Sequence, residues 1–209
     1  MIRAVISDFG GVLTSPLSVG FMAFQEASGL SLEQLGTAMA RASEEHGEHP
    51  LFELEKGAIT EVEFRDRLQA HLDGAFDLEA LRSAYFDHMQ TNQPVVDYLR
   101  ELRGRGLRMA LLTNNVREWE PLWRSKLPEI DEVFEVVVDS AFVGLRKPDA
   151  AIYELTVERL GGGLRCEECL FLDDLEVNCE GARALGMTAV QFVDAAQAIP
   201  ELEAALAGR

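Results

Sequence analysis

Ile2-Arg3-Ala4-Val5-Ile6-Ser7-Asp8-Phe9-Gly10-Gly11-Val12-Leu13 begins with an apolar run, stops it at an acid and breaks it with paired glycines. Ile2 to Ser7 reads as a buried strand, and Gly10-Gly11 as the loop leaving its carboxyl end. The same grammar returns later in the chain. Leu107 to Leu112 is almost continuously apolar and ends at Thr113, Phe134 to Val138 ends at Asp139, and Cys169 to Leu172 ends at Asp173 and Asp174. Such runs mark strands buried on both faces of a parallel sheet. Helical segments separate them. One opens at Pro94 and stops near Gly104 and Gly106, one opens at Pro148 and ends at Gly161 to Gly163, and one runs from Leu175 to Leu185. A strand from Thr188 to Phe192 and a closing helix complete the series. Strands alternating with helices predict an α/β fold, a parallel sheet with helices on both faces.

From Pro16 to about Asn92 no strand is legible. Ser31 is placed to cap a helix through Met39, and Thr60 with Glu63 forms a capping box for a helix through Leu72. Asp77 caps a third, whose apolar face carries Leu78, Leu81, Tyr85 and Met89. His46 to Pro50 reads as a loop. A helical block of roughly seventy-five residues thus interrupts the α/β series.

The 209 residues carry 36 acidic against 19 basic side chains, a net charge of −17. That surface repels phosphate backbones and excludes nucleic acid as a partner. No apolar run approaches the roughly 20 residues of a membrane span. The chain reaches Asp8 before any long apolar core, and its three cysteines cannot all pair. The expectation is a soluble protein of the reducing cytoplasm, a monomer or a homodimer.

In an open parallel sheet, ligands bind beyond the carboxyl ends of the strands. Asp8, Thr113 with Asn114 and Asn115, and Asp173 with Asp174 stand there, and Lys147 precedes the helix opened by Pro148. Carboxylates, a hydroxyl, amides and a lysine suit a divalent cation beside a phosphoryl group. Asp8 is the candidate nucleophile. Lys147 would offset the phosphate's charge, and Thr113 with neighbouring N–H groups would donate to its oxygens.

These residues resemble a known family, the haloacid-dehalogenase-like hydrolases. The matching blocks are Asp8-Phe9-Gly10-Gly11-Val12-Leu13, Leu112-Thr113-Asn114, Arg146-Lys147-Pro148, and Leu172-Asp173-Asp174 with Asn178, in the family's order. Lys56-Gly57-Ala58-Ile59-Thr60 and Val143 to Pro148 look like the branch holding the phosphatase domain of soluble epoxide hydrolase and sugar-1-phosphate phosphatases. The resemblance implies a Rossmann-like core at 1–15 and 93–209 and a helical cap at 16–92. It implies a Mg²⁺-dependent phosphatase of a small phosphorylated metabolite, working through an aspartyl-phosphate on Asp8. Asp8, the Gly10 carbonyl and Asp174 would hold the metal, with Asp173 and Asn178 in support. Lys147 would be catalytic, and Thr113 and Asn114 would bind substrate.

One position departs from the pattern. The family's phosphatases carry an acid–base Asp two residues after the nucleophile, where this chain has Gly10. General acid–base help is worth roughly 10²–10⁴-fold, so its loss favours substrates whose leaving group departs readily, acyl phosphates or sugar-1-phosphates. Glu53 or Glu55 from the cap is a candidate replacement. The alternatives are a member that binds a phosphorylated ligand or a protein without turnover and, ranked lower, a haloacid dehalogenase. Cys166 and Cys169 form a lone C-x-x-C with no second pair and read as structural thiols, like Cys179. His46 and His49 read as solvated loop residues. Trp119 and Trp123, four apart, are expected to share a helix face for packing or a dimer contact. Arg117 and Arg124 would supply local positive potential or surface ion pairs.

Overall fold

The computed structural model describes residues 1–208, with all their side chains except those of Leu17 and Ala27. Its centre is a five-stranded parallel sheet in the order β3-β2-β1-β4-β5. The strands are β1 (Ala4–Ser7), β2 (Arg108–Thr113), β3 (Val136–Asp139), β4 (Cys169–Asp173) and β5 (Thr188–Gln191). β1 lies between β2 and β4, with Ser7 level with Leu111 on one side and Leu172 on the other. This register brings the carboxyl ends of three strands to one edge.

The pleat sorts alternate residues to opposite faces. Val5, Met109, Leu111, Leu170 and Leu172 pack under α6 (Gln93–Gly104) and α12 (Ala195–Leu206). Ile6, Ala110, Leu112 and Phe171 face α10 (Ala150–Leu160) and α11 (Glu176–Ala184). The molecule is therefore an α/β, Rossmann-like parallel sheet flanked by helices. Short helices α7 (Glu120–Lys126), α8 (Ile130–Val133) and α9 (Ser140–Val143) fill the connections around β3.

Between β1 and β2 the chain forms α1 (Leu17–Ser28), α2 (Leu32–His46), α3 (Pro50–Glu55), α4 (Glu61–Gln69) and α5 (Leu78–His88). They build a core of their own around Phe24, Leu35, Leu54, Phe64, Leu68 and Phe76. Ser31 with Gln34 and Thr60 with Glu63 both close capping boxes, and the Asp77 carboxylate accepts from the Ala80 N–H. No helix among the described residues is long and apolar enough to cross a membrane.

Several boundaries differ from the sequence expectation. α2 runs past Met39 to His46, because Ala42 continues its buried face and the left-handed Gly47 ends it. α4 stops at Gln69, whose side chain turns to the Gly74 carbonyl and the Phe76 N–H. Pro148 does not open α10: the Lys147–Pro148 peptide is cis, and the helix starts two residues later behind Asp149. Phe134 precedes β3 and is apolar because it ends α8 inside the core. Trp119 and Trp123 do not share a helix, the first lying in a 3₁₀ turn and the second in α7.

Candidate active site

Asp8 leaves β1 with its N–H bonded to the Leu172 carbonyl at 2.8 Å, which ties the start of the loop to the end of β4. Its carboxylate meets the Lys147 ammonium at 2.7 Å, and the same ammonium meets Asp173 at 2.6 Å. Lys147 is 1% exposed and Asp173 fully buried. Burial opposes the charge on Lys147, but Asp173 and Asp8 outweigh it and hold the ammonium above the ordinary lysine range. Lys147 is not the solvated residue its place before a proline would suggest.

The other oxygen of Asp173 accepts from Asn178 Nδ2 and from the Leu175 N–H, each at 2.9 Å. Both oxygens of Asp173 are therefore engaged, Oδ1 by two donors and Oδ2 by the Lys147 ammonium. Asn114 has a related task. Its amide donates to the Lys147 carbonyl at 3.0 Å and accepts from the Lys147 N–H at 2.9 Å, pinning that backbone in the site. Its side chain is thus occupied on both ends, whereas Thr113, buried at the end of β2, lines the open chamber.

Oxygens of Asp8, Asp173 and Asp174 lie within 4.8 Å of one another. Asp173 is the most heavily engaged of the three, so Asp8 and Asp174 are the more open carboxylates for a cation. Burial, against the pull of Lys147, pushes the Asp8 carboxyl up to about 7. Burial and then Asp173 raise Asp174 as well. Three carboxylates against one ammonium leave negative charge that a cation would neutralise. Gly11 shapes the pocket: at φ +81° it is left-handed, and a Cβ there would stand 2.3 Å from an Asp174 oxygen. Only a glycine lets that carboxylate lie so close to the loop. An all-oxygen donor set of this kind fits a hard divalent cation, Mg²⁺ among them.

A chamber of about 740 Å³ opens from Asp8 into the helical insertion. Gly10, Asn178 and Glu55 contribute to its wall, but Glu53 does not: it pairs with Arg67 at 2.5 Å. Glu55 meets Arg146 at 2.9 Å, and burial lifts its carboxyl despite that partner. The Arg146 guanidinium also stacks over Phe52 at 3.9 Å. The sequence reading missed the Tyr85 hydroxyl, which would lie 3.8 Å from a Cβ at Gly10. Helical spacing marked Tyr85 as apolar-face; nothing in that period reveals where a ring's far end reaches.

Of the remaining candidates, Trp119 lines the chamber and the others lie outside it. Trp123 is buried against Phe9, with ring centroids 5.2 Å apart, while Trp119 packs on Tyr85 and Phe86 and donates to Glu61. Arg117 donates to the Ala141 carbonyl and Arg124 pairs with Glu120. Neither His46 nor His49 lines the chamber, and all three cysteines are free.

The profile of haloacid dehalogenase-like hydrolases matches residues 2–186, and the chain belongs to that family. It is 30% identical to acyl-CoA dehydrogenase family member 10 of Mus musculus, over 98% of this chain and 19% of that protein. It is 26% identical to bifunctional epoxide hydrolase 2 of Rattus norvegicus, over 97% of this chain and 38% of that protein. The chain thus spans well under half the length of these relatives. Phosphatases are among its other relatives, at 33% identity over about half of this chain. Of solved structures, a haloacid dehalogenase family enzyme of Bacteroides thetaiotaomicron, in complex with magnesium and inorganic phosphate, superposes with a TM-score of 0.68. It is 23% identical, with 93% of this chain and 96% of that one covered.

Proposed function

We propose that this chain is a Mg²⁺-dependent phosphatase acting on a small phosphorylated molecule through an aspartyl-phosphate on Asp8. One observation carries the reading: a buried carboxylate at the end of β1, held at 2.7 Å by a lysine whose other partner is a fully buried aspartate. The membership in a hydrolase family, the phosphatase relatives and the magnesium and phosphate of the Bacteroides neighbour support it.

Asp8, the Gly10 carbonyl and Asp174 would hold the ion, which when bound supplies positive charge to the phosphoryl oxygens and to the developing transition state. Asp8 attacks phosphorus with its free carboxylate oxygen; the bond to the leaving oxygen breaks and its electrons depart with it. Lys147 keeps Asp8 oriented and offsets the charge of the phosphoryl group, and Thr113 donates to one of its oxygens. Asn114, Asp173 and Asn178 act through Lys147 by fixing its backbone and ammonium. Water then attacks the phosphoryl group and restores Asp8, its protons passing to phosphate and solvent. The helical insertion serves as a cap that excludes bulk water from the chamber. Three free cysteines support a reducing, cytoplasmic setting.

The experiment is a melting curve with Mg²⁺, alone and with beryllium fluoride, which mimics a phosphoryl group on a carboxylate. A chain able to form the aspartyl-phosphate gains stability with Mg²⁺ and gains more with both. An equal response from Asp8→Asn, or none from the wild type, would contradict the reading.

A further inference from the structure

The chamber has two unlike ends. At Asp8 it is charged; towards the helical insertion its wall is Phe21, Leu35, Met39, Phe64, Phe76 and Trp119. Its rim is apolar as well: Leu175 and Val177 line it while each is more than half exposed to solvent. Each cation on the wall, among the described residues, already has a carboxylate partner. Lys147 is taken by Asp8 and Asp173, Arg146 by Glu55, and Lys56 by Glu48. On the apolar stretch of that wall, sugar hydroxyls or a second phosphate would lose their water and find little in return. A hydrocarbon chain would gain throughout.

The other end limits the leaving group. Gly10 has no carboxyl to protonate a departing oxygen, and Glu55, the candidate replacement on the wall, is tied to Arg146, so an alkoxide would leave slowly and a carboxylate would leave without needing a proton. Both ends point to the same chemistry. Resting on the phosphatase reading above, we propose that the substrate is an acyl phosphate with a single long hydrocarbon chain, the chain lying in the chamber and the phosphoryl group at Asp8. Asp8 forms the bond to phosphorus, the bond from phosphorus to the acyl oxygen breaks, and its electron pair leaves on the fatty carboxylate. Water then releases phosphate from Asp8. No proton is required in the first step, which suits a site with glycine at this position.

The test is phosphate release from acetyl, butyryl, hexanoyl and octanoyl phosphate, with octyl phosphate and p-nitrophenyl phosphate beside them, each corrected for spontaneous hydrolysis. Each added methylene is expected to raise kcat/KM about fourfold while the chamber fills. Octanoyl phosphate should exceed octyl phosphate by about 10²-fold or more, the scale of general-acid help. Turnover without a chain-length dependence would overturn the inference and leave the phosphatase reading standing, as would octyl phosphate matching octanoyl phosphate. No release from any of the compounds would overturn both. A binding arm with methylphosphonate and octylphosphonate reads the chamber without turnover. Equal melting shifts from the two would also overturn the inference.

Discussion

Gly10 and Gly11 sit side by side under opposite constraints. At Gly10 a Cβ meets only the Tyr85 hydroxyl, at an ordinary 3.8 Å, so a Cβ fits. At Gly11 the left-handed backbone and the Asp174 oxygen at 2.3 Å leave no room for one. Gly10→Asp is therefore expected to fold normally and to speed hydrolysis of alkyl esters by about 10²–10⁴-fold, with little effect on acyl phosphates. Gly11→Ala should displace Asp174 and raise the Mg²⁺ concentration needed for half-maximal activity. Steady-state rates across a Mg²⁺ titration separate the two, and equal behaviour of the variants would contradict this account of the loop. Much of the site at this scale is legible from sequence, because Asp8, Thr113, Asp173 and Asp174 each stand where an apolar run stops. What escapes is partnership. That Asn114 grips the backbone of Lys147, or that Asp173 takes the Lys147 ammonium, depends on side chains brought together across the sheet edge from distant segments.

The inner strands β1, β2 and β4 are legible for a related reason, since burial on both faces forces continuous apolar composition. The edge strand β5, with Thr188 and Gln191 exposed, is read from its place in the alternation. Helix starts are legible where a side chain caps them, as at Ser31, Thr60 and Asp77. Their ends are less so, since α4 stops where Gln69 finds loop partners that no local pattern announces. β3 carries a testable consequence at its own end. Asp139 caps α9 by accepting from the Ala141 N–H at 3.0 Å, while its second oxygen is buried without a partner. Burial, more than the nearby Glu120, pushes its carboxyl up to about 6, against the pull of that N–H, of the neighbouring Trp123 indole and of Arg124. Its folded value thus lies above the unfolded value near 4, so the folded state keeps the proton longer. This group's contribution to stability falls as pH rises from about 4 to about 6 and is level above that. Asp139→Asn keeps the cap and removes the titration. Its urea midpoint should rise relative to wild type across that interval and stay above it at pH 7; parallel curves would contradict the argument.

At the scale of the whole molecule, two cores meet at a charged seam. The helical insertion has its own apolar centre, and the chamber lies between that centre and the strand ends. The insertion's helical character could be read from the sequence, but the chamber could not, because residues that line a cavity and residues that fill a core have the same apolar spacing. Contacts across the seam are both apolar, as where Trp119 packs on Tyr85 and Phe86, and polar. Ser140 Oγ donates to the Glu55 carbonyl at 2.5 Å, and Glu55 pairs with Arg146. The net charge of −17 also acts at this scale by repelling an anionic substrate on approach. Salt shortens the screening length from about 30 Å at 0.01 M to about 8 Å at 0.15 M, so kcat/KM for acetyl phosphate should rise over that range. A fall would mean that a local positive field outweighs the net charge. The central claim, a nucleophilic Asp8 served by a divalent cation, is tested most directly by one assay: phosphate release by the wild type with Mg²⁺, the wild type with EDTA, and Asp8→Asn with Mg²⁺. The account predicts release in the first and loss to background in the other two. Release that survives EDTA or the Asp8→Asn substitution would contradict it.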